Sequence, residues 1–168
     1  MRTLLLHAHP LEESFSRALR DVVDDALTDA GADHTVVRLA PGEEPDLDEV
    51  EHLAVVYPTW WGGPPAVALD WLQRVLGPHV DDGAGDHSPF AAIRRVSVVT
   101  THGSSKLVNR LQGEPGRQTW SRVVVPHCAP GATFDWIALY KIDRSTPADR
   151  AAFLERVRAH FTNGPTPS

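Results

Sequence analysis

Two short runs of consecutive apolar residues constrain the fold of this chain more than any other feature. Leu4-Leu5-Leu6 lies at the centre of the segment 3–7, and Leu53-Ala54-Val55-Val56-Tyr57 is the second run. Neither run alternates apolar with polar residues, so each is expected to be a strand covered on both faces, as in a parallel sheet flanked by helices. Together with three further segments, the pattern predicts strands at residues 3–7, 34–39, 53–57, 96–100 and 136–142.

Helical segments lie between these strands. The first begins at Ser14 or Ser16 and ends at Gly31, and its apolar residues recur every three to four positions. Others are predicted from Pro65 to Leu76, near residues 117–125, and from Thr146 to Phe161. Strands that alternate with helices form parallel sheets with right-handed crossovers. The fold class predicted is therefore α/β, a flavodoxin-like, doubly wound, five-stranded parallel sheet in the order 2-1-3-4-5 with helices on both faces.

Length and composition narrow the classes of function. The 168 residues fit one domain, predicted at 1–161, followed by a flexible tail at 162–168. The net charge of -6 argues against binding to nucleic acid, and no apolar run approaches the ~20 residues that span a bilayer, so no membrane insertion is expected. A single cysteine, Cys128, allows no intramolecular disulfide, and the compartment expected is the cytoplasm.

Ligands of such sheets bind beyond the carboxyl ends of the strands, which directs attention to the segment after the first strand. There His9, Ser14, Ser16 and Arg17 surround the start of a helix, where free N–H groups and a partial positive charge favour a phosphate. The alternative is that Ser14 is only an N-cap and His9 an ordinary loop residue. A zinc site at His7 and His9 lacks a third ligand, so no metal is predicted.

The segment after the third strand contains two adjacent tryptophans. Five of the nine residues in Tyr57-Pro58-Thr59-Trp60-Trp61-Gly62-Gly63-Pro64-Pro65 are proline or glycine, which fixes the path of the backbone and lets a ligand approach it. Exposed tryptophans favour a flat ligand, and flavin is flat and apolar on its faces. The alternative is that one tryptophan packs in the core and the other against a partner subunit.

The segment after the fourth strand, Thr100-Thr101-His102-Gly103, carries hydroxyls, backbone N–H groups and a titratable ring. It is predicted to be a loop that hydrogen-bonds the polar edge of a ring system, and the alternative is an ordinary polar loop. Because all three segments follow strands of one parallel sheet, they are expected to meet at one edge.

These motifs resemble those of the flavodoxin-like NAD(P)H:quinone oxidoreductases. His9-Pro10 with Ser14-Phe15-Ser16 is similar to the phosphate loop of that family, and Thr100-Thr101-His102-Gly103 to its third flavin loop. The most specific resemblance is that of Pro58-Thr59-Trp60-Trp61-Gly62, followed by Pro65-Ala66 and Asp70-Trp71-Leu72-Gln73-Arg74-Val75-Leu76, to its second flavin loop and helix.

The resemblance implies bound FMN or FAD, hydride from NADH or NADPH, quinone-like small-molecule acceptors and a homodimer. FMN is favoured because a short chain leaves little sequence for an adenosine pocket. His102 stands where the family commonly has glycine or tyrosine, and it is the candidate catalytic residue, as a proton donor or as a partner of the flavin edge. The flavin-binding residues expected are His9, Ser14, Phe15, Ser16, Arg17, Pro58, Thr59, Trp60, Trp61, Gly62, Thr100, Thr101, His102 and Gly103. A non-catalytic flavin-binding regulatory or accessory subunit is the alternative function.

Overall fold

The structure is a computed structural model that describes residues 1–9, 14–79 and 88–163. Its centre is a five-stranded, all-parallel sheet with the strand order β2-β1-β3-β4-β5, as the sequence predicts. The strands are β1 (Arg2–His7), β2 (His34–Arg38), β3 (Val50–Pro58), β4 (Arg95–His102) and β5 (Thr133–Tyr140).

Helices connect the strands and cover both faces of the sheet. They are α1 (Phe15–Asp29), α2 (Ala66–Leu76), α3 (Lys106–Leu111), α4 (Pro115–Gln118) and α5 (Pro147–Asn163). The helix predicted near residues 117–125 is a composite, since α4 continues as a π-helical turn (Thr119–Val124) and a 3-10 turn (Val125–His127). The short helix α3 was not predicted. Its sequence, Lys-Leu-Val-Asn-Arg-Leu, is too short and too polar for a clear helical period.

Two apolar cores lie on opposite faces of the sheet because alternate side chains of a strand point in opposite directions. On one face, Leu5, Val56 and Val99 pack with the buried residues of α1 and α5. On the other face, Trp71 of α2 and Trp120 of the π-helical turn are fully buried. This two-sided burial explains the unbroken apolar runs in the central strands.

Several element boundaries differ from the prediction. β3 begins at Val50, three residues early, and β4 continues to His102, whereas β5 covers residues 133–140 instead of 136–142. Polar residues such as Glu51 and Arg95 stay in the strands because the backbone ladder continues past the apolar runs. α5 ends at Asn163, so the predicted tail begins with two helical residues. Residues 164–168 of that tail, and 80–87 of the predicted long loop, lie outside the described residues.

A buried polar network crosses the sheet beneath α5. Arg95 donates from Nε to Asp135 Oδ2 at 2.8 Å and from a terminal nitrogen to His160 Nε2 at 2.7 Å. Ser97 donates its hydroxyl to Asp135 at 3.1 Å, and His52 Nε2 lies 2.9 Å from Ser97 Oγ. Since the single Ser97 proton goes to Asp135, His52 must be the donor to Ser97 through Nε2–H. His52 therefore carries a proton on Nε2.

We expect the stability of the protein to fall in mild acid because of His52. Burial, with the nearby charge of Arg95, lowers its pKa to about 3, whereas an unfolded histidine titrates near about 6.5. The unfolded chain therefore binds the proton first. The stability from neutral His52 is complete above the unfolded pKa and is lost as the pH falls from there towards about 3, by up to about 1.4 kcal/mol per pH unit.

Urea unfolding at a series of pH values between neutral and mildly acidic checks this expectation. His52→Gln, which keeps an amide donor for Ser97 but does not titrate, should flatten the dependence. An equal slope in the variant and the wild-type protein would show that His52 does not contribute to it.

Candidate functional site

The three segments singled out in the sequence meet at the carboxyl edge of the sheet. The Thr59 N–H donates to the Thr101 carbonyl at 2.8 Å, and the hydroxyls of Thr59 and Thr100 are 2.9 Å apart. The His9 ring contacts the Trp60 ring edge-on, with centroids 5.5 Å apart. The structure thus joins the second segment to the third through hydrogen bonds and to the first through an aromatic contact.

The start of α1 gives both predicted serines a partner within the chain. Ser14 is the N-cap, and its Oγ accepts the Arg17 N–H at 3.2 Å, with Phe15 as the first helical residue. Ser16 lies inside the helix, is buried, and its Oγ is 3.1 Å from His7 Nε2. Capping by Ser14 is therefore confirmed. Residues 10–13, which complete this segment, lie outside the described residues.

His7, which the sequence offered only as a weak zinc ligand, holds Ser16 in place. Its ring is buried and stacked on His9 with centroids 6.1 Å apart. Burial, followed by the positive charge of Arg20, lowers the pKa of His7 to about 4, so the ring is neutral at neutral pH. A neutral ring in this position can serve as a hydrogen-bond partner without adding charge.

Positive charge gathers around the start of α1. Arg17 and Arg20 lie in the first turns of the helix, and Arg38, at the end of β2, donates from Nε to the His9 carbonyl at 3.4 Å. Sequence reasoning missed Arg38, although the predicted strand order places the end of β2 beside the end of β1. Arg17 and Arg20 both form ion pairs with Asp21, so part of their charge is offset. The N-terminus of this 15-residue helix is still a suitable environment for an anion such as a phosphate.

Both tryptophans of the second segment face solvent. Trp60 is 42% exposed and Trp61 is fully exposed, so neither packs in the core. Trp61 has φ +52° and Gly62 has φ +83°, and reciprocal 3.0 Å hydrogen bonds between Trp60 and Gly63 close the turn. A positive φ is rare for a bulky residue. The turn therefore presents an indole to solvent at the cost of local backbone strain.

The beginning of α4 supports this turn from behind. The Gly116 N–H donates to the Gly62 carbonyl at 3.0 Å, and a Cβ on Gly116 would lie 3.3 Å from that oxygen and 3.5 Å from the Cα of Gly63. Glu114 precedes α4 with φ +47°. Sequence reasoning missed Gly116 because its importance depends on a contact between segments distant in the chain.

The third segment is not the loop that the sequence predicted. Thr100, Thr101 and His102 all belong to β4 and are buried, and Gly103 is the first residue after the strand. The strand extends this far because these polar residues pair with β5 along the ladder, with His102 opposite Tyr140. Periodicity detects side-chain polarity and not backbone pairing.

His102 is the most unusual side chain at this edge. It is 4% exposed and stacks on Tyr140 with ring centroids 4.8 Å apart. Neither ring nitrogen makes a hydrogen bond of ordinary geometry with a described residue, and both are buried. Burial lowers the pKa of His102, and Asn109 and Glu114 act in the opposite direction. Buried polar atoms without partners are costly and frequently indicate a missing ligand group.

Other chemistries find little support. Among the described residues, no group of three or more His, Cys, Asp or Glu side chains could hold a metal ion. Cys128 is buried, and burial raises the pKa of its thiol to about 12, so it is not an activated nucleophile. No helix within the described ranges is both long enough and apolar enough to span a membrane.

Comparison with known proteins agrees with the fold. The sequence matches a family described as having the flavodoxin-like fold over residues 1–161, nearly its whole length. The chain belongs to this flavodoxin-like family. No curated protein matches the sequence.

Solved structures match the chain over nearly its whole length. An NAD(P)H:quinone oxidoreductase from Methanothermobacter marburgensis superposes with a TM-score of 0.77 at 20% identity, covering 100% of this chain and 98% of that one. Smu.1420 from Streptococcus mutans superposes with a TM-score of 0.79 at 16% identity, covering 97% and 100%. An FMN-dependent NADH-azoreductase from Bacillus anthracis, solved with FMN, superposes with a TM-score of 0.73 at 9% identity, covering 96% of this chain and 98% of that one. At these identities the similarity establishes the fold.

Proposed function

We propose that this protein is a flavin-dependent NAD(P)H oxidoreductase that reduces quinones or similar acceptors by two electrons in a ping-pong reaction. The observation that carries the proposal is the meeting of exposed tryptophans, a histidine, threonine hydroxyls and a basic helix start at one edge of the sheet. The quinone oxidoreductase and the azoreductase among its structural neighbours support the same reaction class.

The residues at this edge fit FMN. The start of α1, with Arg17, Arg20 and Arg38 nearby, suits the phosphate, while Ser14 and Ser16 border it. The exposed faces of Trp60 and Trp61 suit a flat ring, and the backbone of Gly62, with φ +83°, allows close approach. When bound, the flavin supplies two-electron transfer between nicotinamide and acceptor.

Each segment has a distinct task in this proposal. Pro58 and Thr59 fix the entry to the tryptophan turn through the bonds from Thr59 to Thr100 and Thr101. The indoles of Trp60 and Trp61 exclude water from one side of the reacting centre. Backbone N–H groups near these residues and near Gly103 favour negative charge on a reduced ring system, as donors of an oxyanion hole do.

We propose that His102 supplies a proton to the acceptor reaction. Its two ring nitrogens are buried without ordinary hydrogen-bond partners at the end of β4, directly before the Gly103 backbone. Stacking on Tyr140 fixes the plane of the ring. Because burial lowers the pKa of His102, its protonated form becomes more abundant only in mild acid.

We also propose that the protein is a homodimer and works as a single domain in the cytoplasm. Large apolar side chains are exposed on α2, on α3 and in the tryptophan turn, including Trp61, Leu69, Leu107 and Leu111. Leu107 and Leu111 share one face of α3. A twofold interface would cover such residues beside the site. Light scattering at tens of micromolar should give the mass of a dimer, and a monomer mass would contradict this part of the proposal.

Steady-state turnover tests the proposed reaction. Protein reconstituted with FMN should oxidise NADH or NADPH when menadione is added, with parallel lines in double-reciprocal plots, the pattern of a ping-pong reaction. Firm FMN binding without turnover by either nucleotide would contradict the enzymatic assignment and favour an accessory subunit.

A further inference from the structure

A chain of adjoining clefts leads away from the third segment along β5 and α5. The first cleft, of about 570 Å³, begins at Gly103 and is walled by Lys141 and Arg144. The second, of about 530 Å³, shares Lys141 and Arg144 with the first and reaches Arg156. The third, of about 580 Å³, shares Tyr140 and Arg156 with the second. We call these three clefts the β5–α5 trough.

The trough is basic although the protein is acidic. The chain carries a net charge of -6 and has two lysines, Lys106 and Lys141, and both line the trough. The side chains of Lys106, Lys141 and Arg144 make no ion pair with any residue that the structure describes, unlike Arg74 and Arg95 elsewhere. Unpaired cations clustered against an opposite net charge indicate an anionic ligand.

Two carboxylates offset part of this charge but not all of it, because four cationic side chains, Lys106, Lys141, Arg144 and Arg156, line the trough. Asp143 lines the first cleft and Asp149 the second. Asp149 accepts the Thr146 N–H and hydroxyl, both at 2.8 Å, and so caps α5. Lys141 itself is held with φ +60° between β5 and α5. A non-glycine residue in this conformation is strained and is a feature of functional sites.

Flat groups along the trough suit an adenine ring. The Tyr140 ring is partly exposed, and the guanidinium of Arg156 lies 4.7 Å from the centre of the Phe153 ring. Aromatic rings and guanidinium planes both stack on nucleobases. Arg156 also donates to the Ala138 carbonyl at 2.8 Å, which occupies part of the free edge of β5 and disfavours addition of a peptide strand.

We propose that the β5–α5 trough binds the phosphates of NADPH and that Lys141 and Arg144 select its 2′-phosphate. This inference rests on the proposed function, because it requires the nicotinamide to reach the flavin beside Gly103. Two cations shared by the first two clefts can bind a phosphate dianion through charge-assisted hydrogen bonds. The protein would then prefer NADPH to NADH.

Calorimetric titration with adenosine 2′,5′-bisphosphate tests the site without any redox reaction. We expect binding at least ~10-fold tighter than that of adenosine 5′-phosphate. Arg144→Ala, or Lys141→Asn, which tolerates a positive φ, should weaken bisphosphate binding by at least ~10-fold. Arg122→Ala, an exposed arginine outside the trough, serves as the matched control and should bind like the wild-type protein. Circular dichroism confirms that each variant is folded.

Kinetic measurements separate this inference from the proposed function. In FMN-loaded protein, Arg144→Ala should raise the KM for NADPH by at least ~10-fold and leave the KM for NADH nearly unchanged. Equal KM values for NADPH in the variant and the wild-type protein would overturn the inference of an NADPH site. Continued turnover in both would still support the proposed oxidoreductase activity. A loss of bound FAD in the variant, with bisphosphate binding unchanged, would assign the trough to the flavin diphosphate and overturn the NADPH site. If the protein bound the bisphosphate but no flavin, the phosphate site in the trough would be supported and the proposed function would be contradicted.

Discussion

Replacement of Asp135 by alanine should lower the free energy of unfolding by about 3–5 kcal/mol, because it leaves a buried guanidinium without its carboxylate. The Arg95 and Asp135 side chains are only 11% and 19% exposed, and their closest atoms are 2.8 Å apart. Burial by itself would raise the pKa of Asp135, but the Arg95 guanidinium, which donates to the carboxylate, holds it well below its usual range. The carboxylate therefore stabilises the fold throughout the neutral range. Its contribution declines as the pH falls below the unfolded carboxyl pKa of about 3.9 and is lost completely in strong acid.

Urea unfolding at neutral pH measures this effect, and the chain offers a matched control. Asp29 pairs with Arg158 at 3.2 Å, but the Asp29 side chain is 66% exposed. Asp29→Ala should therefore cost less than about 1 kcal/mol. If the two variants lost similar free energy of unfolding, the buried network beneath α5 would contribute no more to stability than an exposed ion pair.

Replacement of His102 by leucine should slow the acceptor half-reaction by about 10²–10⁴-fold, the usual contribution of a positioned proton donor. Reduction of the flavin by NAD(P)H should change far less, since that step requires no proton from His102. The variant should be as stable as the wild-type protein or more so, because leucine removes two buried ring nitrogens that lack ordinary partners.

Stopped-flow measurement of the two half-reactions separates the possible roles of His102. Because burial lowers its pKa below the ordinary value near about 6.5, the wild-type acceptor step should accelerate as the pH falls below that value, whereas the variant should not respond. His34→Leu removes a histidine on β2 that pairs with Asp24, and it serves as the control. Equal losses of rate in both half-reactions would make His102 a positioning residue for the flavin. Unchanged rates in both half-reactions would show that His102 has no role in the reaction.

The fold could be predicted because both faces of the central strands are buried. The unbroken apolar runs Leu4 to Leu6 and Leu53 to Tyr57 indicate this two-sided burial by their composition alone. The helices that alternate with the strands then leave few possible topologies. The meeting of the three segments follows from that topology. Their internal geometry does not, since the strained φ of Trp61 depends on the turn that Trp60 and Gly63 close.

Contacts between segments distant in sequence account for what could not be predicted. Gly116 supports the tryptophan turn and Arg38 approaches the His9 carbonyl, but neither residue lies in a motif. His102 was expected in a loop because its side chain is polar, although its backbone pairs in the ladder opposite Tyr140. Ser16 remains a predicted ligand contact, and the structure adds a partner that no motif indicated, the buried ring of His7.

Titration of the purified protein with FMN, FAD and riboflavin tests the central claim, that three segments at one edge of the sheet form a flavin site. The fluorescence of FMN should be quenched on binding, with a dissociation constant in the micromolar range or below. The bound FMN should stay with the protein through gel filtration. Riboflavin, which lacks the phosphate that the start of α1 would hold, should bind at least ~10-fold more weakly. Binding of neither FMN nor FAD at micromolar concentrations would contradict the claim.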